Sequence, residues 1–189
     1  MYGLVNQALE EHILLHWGDA RWAEIKRRAG VTHDVFLTHE AYPDEMTAAL
    51  LTATAEALGV GTAQILEGFG EHWVLVTAQR GYGGLLASTG STLLEFLVNL
   101  PNLHTRVTLV FPRLRPPEFR VSDVTPGSLR LTYASHREGL APFVVGILRG
   151  LGTSFGQVLT IEHVTRRADG AAEEVFAIAW EPAAGSTST

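Results

Sequence analysis

The 189-residue sequence contains no cysteine, and this absence excludes several classes of site at once. Disulfide scaffolds, zinc–thiolate sites, iron–sulfur clusters and thiolate-ligated haem all require cysteine sulfur. Basic residues are also scarce: 14 Lys and Arg stand against 20 Asp and Glu, giving a net charge of −6. Nucleic-acid binding needs clustered positive charge, so we expect no nucleic-acid partner.

Targeting segments and long apolar runs are missing as well. The first residues, MYGLVNQALEEH, lack the basic and apolar regions of a signal peptide. The longest apolar run, LAPFVVGILRGLG, is interrupted by Arg149 and is too short to span a bilayer. We therefore expect a soluble, cytoplasmic protein without a membrane partner. Hydrophobic residues nevertheless make up 46% of the chain, which leaves room for an internal apolar cavity.

Catalytic motifs are absent too. The sequence has no Ser-His-Asp arrangement, no paired-carboxylate motif and no HExxH. Its glycine-rich stretch, GYGGLLASTG, lacks both the Walker lysine and the GxGxxG spacing of phosphate-binding loops. We therefore do not expect an enzyme.

Helical periodicity covers the first part of the chain and strand patterns follow it. Pro101 is expected to begin a new helix, because proline is favoured at the first helical position. After FPRLRPPEFR, two hairpin patterns flank the helical stretch LAPFVVGILRGLGTSFG. The prediction is a single α+β domain over residues 1–182, with an antiparallel sheet of about four strands and a helix between two hairpins. Residues 183–189 are expected to form a disordered tail.

His104 is the first candidate for chemistry. In a helix it shares a face with Leu100, Leu103 and Val107, so its imidazole points inward. One interpretation is an ordinary core histidine with a hydrogen bond. The other is a metal ligand in an apolar pocket, for which a neutral imidazole suits a haem iron.

The stretch LRLTYASHR raises a second question, because Tyr133, Ser135 and Arg137 alternate as residues on one face of a strand do. A core-facing guanidinium keeps its charge and requires an anion. That anion is either a carboxylate of the protein or a ligand, and three neighbouring donors favour a ligand with carboxylates or phosphates.

Two weaker signals accompany these candidates. Gly146, Gly150 and Gly152 lie within a predicted helix, where glycine costs roughly 1 kcal/mol relative to alanine. They indicate close approach by another backbone or by a flat ligand. His12 and His16 have the i,i+4 spacing of zinc ligands, but no third ligand is evident and a helix surface is favoured.

Taken together, the YxSxR motif, His104 about thirty residues before it, the MYGLVN opening and the FPxLxPPxF segment resemble the H-NOX family of haem nitric oxide/oxygen-binding domains. The resemblance runs from Met1 to about Trp180. It implies haem b, buried between the helical part and the sheet. It also implies His104 as the axial iron ligand, Tyr133, Ser135 and Arg137 as the clamp of the haem propionates, and Pro117 as the residue that presses on the macrocycle. The distal pocket is expected to include Leu4, Val5, Leu9, Trp73, Thr77, Gly146 and Leu148.

The choice of gas and the output follow from the same resemblance. Oxygen-binding relatives use a distal tyrosine, and the matching position here is Pro142, which has no hydrogen-bond donor. Trp73 is the remaining distal donor. The expected function is a sensor that binds NO and CO, discriminates against O2 and signals by conformational change to a separate protein, a histidine kinase or a diguanylate cyclase. The alternatives are a gas-binding or haem-storage protein without signalling, and a non-haem pocket that binds an amphipathic anion through Arg137 but not His104.

Overall fold

Helices followed by one antiparallel sheet account for residues 1–183, which a computed structural model describes. The helices are α1 (Gly3–Arg28), α2 (Asp44–Leu58), α3 (Thr62–His72), α4 (Gln79–Ala87), α5 (Leu93–Val110) and α6 (Ala141–Ser154). A π-helical turn, Trp73–Ala78, joins α3 to α4. The strands are β1 (Glu118–Thr125), β2 (Ser128–Ala134), β3 (Gln157–Thr165) and β4 (Glu174–Pro182), in the order β1-β2-β4-β3. The predicted α+β class, with a helix between two hairpins, is confirmed.

Local signals explain where several helices begin and end. Gly18 has a φ of 77° and interrupts the helical backbone of α1. The same helix ends in basic residues, and the following Gly30 takes up a left-handed φ of 66° that suits glycine. At the start of α5, the Thr92 hydroxyl accepts a hydrogen bond from the Glu95 amide at 3.2 Å.

The expected helix start at Pro101 is wrong, because α5 runs through this proline without interruption. Pro101 has no N–H and therefore leaves one helical carbonyl without its usual donor. Leu97, Leu100 and Leu103 are buried on both sides of it. Burial of this apolar face outweighs the missing bond, and the helix continues to the segment that precedes β1.

The expected extension of β2 to Arg137 is also wrong. Strand β2 ends at Ala134, which pairs with Glu118, the first residue of β1. On its other side the pairing with β4 ends at Tyr133 and Glu174. Beyond Ala134 neither neighbouring strand offers a partner, so residues 135–138 leave the sheet and form a bend.

Glycine allows α3 and α6 to pack backbone against backbone. A Cβ on Gly146 would overlap the carbonyl group of Glu67, and a Cβ on Gly70 would overlap the backbone of α6 at Phe143. Gly150 lies close to Glu71 and Val74 in the same way. We call this contact the α3–α6 seam. It shows that close packing of another helix, rather than a flat ligand, explains Gly146 and Gly150, whereas Gly152 packs against Leu159 and Gln157 of β3.

Within residues 1–183 no single helix is long and apolar enough to cross a membrane. Only α2 taken with the helical run Thr62–Ala87 meets the length and composition criteria, and that pair is bent by 111°.

The predicted tail lies outside the described residues, except for Ala183, whose amide donates to the Gly156 carbonyl at 2.9 Å.

Candidate functional site

A largely apolar cavity of about 300 Å³ lies between the helices of the first part of the chain, α5, α6 and the β1–β2 hairpin. Its size is in the range of small-molecule sites. The helical side contributes Leu4, Val5, Trp73, Val74, Ala78, Tyr82, Phe143, Val144 and Ile147. The opposite side contributes Leu100, Leu103, His104, Val107, Phe111, Pro116, Pro117, Phe119, Tyr133, Ser135 and Arg137.

His104 lines this cavity from the middle of α5. Its Nδ1 lies 3.2 Å from the Leu100 carbonyl oxygen one helical turn earlier. Because a carbonyl only accepts, Nδ1 carries the proton and Nε2 keeps a lone pair. Burial lowers the pKa of His104, against the weaker opposing effect of that hydrogen bond, and so favours the neutral ring. A neutral imidazole whose far nitrogen carries the lone pair is the form that binds a metal.

Ring contacts connect His104 to the sheet. Its imidazole stacks on the Phe119 ring, with centres 5.3 Å apart and an angle of 21°. Phe119 pairs with Tyr133 across the β1–β2 ladder, and their ring centres are also 5.3 Å apart. The first hairpin therefore fixes both the orientation of the imidazole and the position of the Tyr133 phenol.

The three donors of the YxSxR motif do lie on the same cavity, and we call Tyr133, Ser135 and Arg137 the anion clamp. Only Tyr133 belongs to a strand, and burial raises its pKa despite its hydrogen bond to Ser135 and the nearby charge of Arg137. Ser135 and Arg137 lie in the bend that follows. The Ser135 hydroxyl accepts a hydrogen bond from the Arg137 amide at 3.1 Å.

Arg137 is paired with a carboxylate of the protein itself, which is one of the two interpretations that the sequence allowed. Its Nε donates to an Asp44 carboxylate oxygen at 2.7 Å, and its Nη2 approaches the other oxygen at 3.4 Å. Partial burial raises the pKa of Asp44, but hydrogen bonds from Arg137 and from the Met1 amino group outweigh this effect and lower it to about 2. The pair joins the clamp to the start of α2.

The predicted distal residues divide into two groups. Val5 and Trp73 line the cavity, as does Leu4. Leu9 and Leu148 are instead fully buried within the two hydrophobic clusters of the protein. Gly146 lies in the α3–α6 seam. Thr77 faces away from the cavity lining, and its buried hydroxyl finds no hydrogen-bond partner in the described part of the chain.

Several residues of the site escaped the sequence analysis. Asp44 lies in the first turn of α2, where the helix dipole is enough to explain an acidic residue. Nothing in the sequence therefore pointed to its pairing with Arg137. Tyr82 lines the cavity from the glycine-rich stretch GYGGLLASTG, which was considered only as a phosphate-binding loop. Phe111, the first residue of the FPxLxPPxF segment, follows α5 at the centre of an aromatic group, with Tyr2 at 4.9 Å and His39 at 5.3 Å between ring centres.

A sequence profile described as Haem-NO-binding matches residues 2–163, which is most of the chain. The protein belongs to the haem-NO-binding family. Members of this H-NOX family bind haem and diatomic gases and signal to partner domains. The matched region is a sensor domain, not a catalytic one.

Curated relatives of this family member include several soluble guanylate cyclases. The chain is 28% identical over 169 residues to soluble guanylate cyclase gcy-31 of Caenorhabditis elegans, covering 86% of this chain and 24% of that protein. It is 35% identical over 91 residues to the guanylate cyclase soluble subunit beta-2 of Rattus norvegicus, covering 48% of this chain and 13% of that protein. The chain thus spans about a quarter or less of the length of these relatives.

Solved H-NOX structures share the fold. An H-NOX protein from S. oneidensis in the Fe(II)NO ligation state superposes with a TM-score of 0.87 at 19% identity, covering 96% of this chain and 99% of that one. The unliganded Fe(II) H-NOX protein from K. algicida gives a TM-score of 0.83 at 22% identity, covering 99% and 100%.

The residues around the cavity fit a haem. The walls are apolar, as a porphyrin requires, and a neutral imidazole faces the space from α5. The anion clamp stands at one edge, where it can meet carboxylates. Pro117 lines the cavity between α5 and β1, which is compatible with a contact to the face of a macrocycle.

Proposed function

We propose that the protein is a cytoplasmic sensor of NO that also binds CO and discriminates against O2, with haem b as its cofactor. The observation that carries this proposal is the His104 imidazole. Its Nδ1 is committed to the Leu100 carbonyl, and its ring is locked against Phe119. These contacts leave Nε2 as an iron ligand of fixed direction in an apolar space.

The anion clamp orients the haem in this proposal. Tyr133 and Ser135 each offer a hydroxyl, and Arg137 offers a guanidinium, the side chain best suited to a carboxylate. Arg137 is paired with Asp44 at 2.7 Å, so it can share its donors between that carboxylate and a propionate. His136 is exposed and lies outside the cavity lining, which excludes it as the iron ligand of this site.

Gas selectivity is assigned to the helical side of the cavity. When bound, ferrous haem supplies the iron that takes up NO or CO. Bound O2 is polar and is retained by a hydrogen-bond donor, whereas Leu4, Val5 and Val74 offer none. Trp73 has an N–H, but its ring packs edge-on against Phe69 and Phe143, which supports a packing role. The Tyr82 phenol also lines this side, but its ring contacts Phe111 on the side of the cavity that carries His104.

Signalling is assigned to α5, which carries His104 and is followed directly by Phe111. The Phe111 ring contacts Tyr2, His39 and, at 6.1 Å, Tyr82. A displacement of α5 therefore reaches the N-terminal segment and α4 through direct ring contacts, as a coupling between two sites requires. The proposed receiver is a histidine kinase or a diguanylate cyclase, and assays of autophosphorylation and of cyclic dinucleotide synthesis with NO-loaded and NO-free protein distinguish the two.

Absorption spectra of the purified protein test the proposal. After reconstitution with haem and reduction, we expect separate, stable NO and CO spectra and an unchanged ferrous spectrum on brief exposure to air. A stable ferrous–oxy spectrum would contradict the selectivity. A protein that takes up no haem but binds a fatty acid through Arg137 would support the non-haem alternative. A haem protein that alters neither receiver would support gas binding or haem storage without signalling.

A further inference from the structure

The bend that carries two of the three residues of the anion clamp raises a structural problem. Ser135 and Arg137 lie beyond the end of β2, so no strand ladder holds their backbone. The Ser135 hydroxyl closes a small turn by accepting the Arg137 amide, but this bond leaves the carbonyl groups of the bend to find donors elsewhere. A clamp that binds a rigid ligand needs a fixed backbone.

Arg167 supplies these donors from the β3–β4 connection. Its Nη1 donates to the Ser135 carbonyl at 3.0 Å and to the Arg137 carbonyl at 3.4 Å. Its Nη2 donates to the Glu138 carboxylate at 3.2 Å. One planar guanidinium thus spans the whole bend, a task that matches its rigid fork of donors.

Arg167 is itself anchored to the sheet. Its backbone N–H donates to the Glu174 carboxylate at 3.1 Å, and the same oxygen lies 2.7 Å from His163 Nε2. Glu174 is buried and pairs with Tyr133 across the β2–β4 ladder. The anchor of Arg167 is therefore next to the one clamp residue that the sheet positions directly.

We propose that Arg167 is a positioning residue of the anion clamp: it holds the backbone of residues 135–137 so that Ser135 and Arg137 face the cavity together with Tyr133. Arg167 is not among the described residues that line the cavity, so it acts on a bound group through the clamp. The inference rests on the proposed function, in which the clamp holds the haem propionates.

The first arm of the test needs no haem. Hydrogen exchange at the Arg137 amide reports the closure of the bend in the haem-free protein. We expect Arg167→Ala to accelerate this exchange about tenfold, because the two carbonyl bonds to a charged donor are lost. The control is Arg166→Ala, which removes the same charge from an exposed neighbour and should leave the exchange rate unchanged.

The second arm measures the rate of haem dissociation into excess haem-free myoglobin. Arg167→Ala should release haem about tenfold faster than the wild type, and Arg167→Lys should not fully restore the rate, because one ammonium nitrogen cannot reproduce the separate Nη1 and Nη2 contacts to the carbonyls and to Glu138. In an Arg137→Ala background, Arg167→Ala should add little, since both changes disable the same clamp. The propionate bands of the resonance Raman spectrum should shift in Arg167→Ala but not in Arg166→Ala.

The outcomes separate the two proposals. A wild-type protein that binds no haem overturns the proposed function, whereas faster exchange in Arg167→Ala still supports the positioning of the bend. Wild-type exchange and dissociation rates in Arg167→Ala overturn the role of Arg167, as does a full multiplication of effects in the double variant. If Arg167→Ala does not fold by circular dichroism, Arg167→Gln, which keeps one amide donor, should give intermediate rates, and wild-type rates in that variant overturn the role.

Discussion

The two walls of the cavity are built in different ways. On the wall formed by α5 and the first hairpin, polar groups are held one by one through identified contacts, as His104 is by Leu100 and Phe119. On the helical wall the side chains are mainly apolar, and the wall gets its shape from the α3–α6 seam and the π-helical turn Trp73–Ala78. We call these the polar wall and the helical wall.

The difference indicates a division of labour. The polar wall contains the proposed iron ligand and the anion clamp, and their hydrogen bonds and ring contacts leave them little freedom. The helical wall contains no charged side chain among its described cavity-lining residues and includes a π-helical turn, a rare element that is frequent at functional sites. In the proposed function, the first wall determines what the cavity holds, and the second determines which small ligand fits beside it.

The largest effect is expected from a change in the seam of the helical wall. In Gly146→Ala the new Cβ overlaps the Glu67 carbonyl, which is backbone and can yield only if α3 and α6 separate. We expect a loss of about 3 kcal/mol in the free energy of unfolding, measured by urea denaturation. The matched control is Gly84→Ala in α4, where a Cβ meets open space and should stabilise the helix by up to about 1 kcal/mol. Equal stability of the two variants would show that the seam is not tightly packed.

The next largest effect is expected from acid, which should lower the free energy of unfolding through the helical side of the protein. His12 is buried between α1 and α3, and burial, followed by the charges of His72 and His16, lowers its pKa to about 4. The unfolded chain takes up this proton near pH 6.5, so stability is complete above that pH and falls as the pH drops towards 4. The loss should approach about 3 kcal/mol over this range.

Urea denaturation at pH 7.5 and pH 4.5 checks this expectation. Burial also lowers the pKa of His72, so part of the acid sensitivity should remain in His12→Gln. The variant should nevertheless lose clearly less stability on acidification than the wild type. An identical pH dependence of both proteins would exclude His12 as a cause.

Substitutions in the polar wall should change ligand binding more than the stability of the fold. Arg137→Ala removes a clamp donor and leaves Asp44 without this partner, and we expect haem to dissociate about tenfold faster. Arg130→Ala is the control, because Arg130 is half exposed on β2 and pairs with Asp123 away from the clamp. Haem dissociation at the same rate from both variants would place the propionates elsewhere.

The smallest effect is expected at Trp73. If this ring serves packing, Trp73→Phe should keep the NO and CO spectra and change CO affinity by no more than about threefold, which is under 1 kcal/mol. Carbon monoxide titration of the reduced protein measures this affinity. A large loss of affinity for a polar ligand in Trp73→Phe would instead identify the indole N–H as a distal donor.

The polar wall was accessible from the sequence because its signals are local. The alternation of Tyr133, Ser135 and Arg137 and the helical face of His104 marked these residues as candidates, and the resemblance to the H-NOX family implied that they share one site, although the strand proved shorter than the alternation suggested. Asp44 was not accessible, since a pairing across 93 positions leaves no periodic trace.

The helical wall was less predictable for a physical reason. Gly146 was assigned to the distal pocket, but whether a helical glycine faces a ligand or another backbone depends on a tertiary contact. Leu9 and Thr77 share helical faces with residues that do line the cavity, and a π-helical turn shifts such faces after Trp73. These residues were implied by the resemblance, and the face shared by Trp73 and Thr77 presumed a regular helix, which the π-helical turn interrupts.

The most direct test of the account is the absorption spectrum of reduced His104→Ala beside that of the wild type after haem reconstitution. We predict a five-coordinate ferrous spectrum for the wild type and loss of tight haem binding in the variant, with an imidazole-ligated spectrum returning when free imidazole is added. Unchanged haem uptake and an unchanged spectrum in His104→Ala would contradict the assignment of the iron ligand and, with it, the division between the two walls.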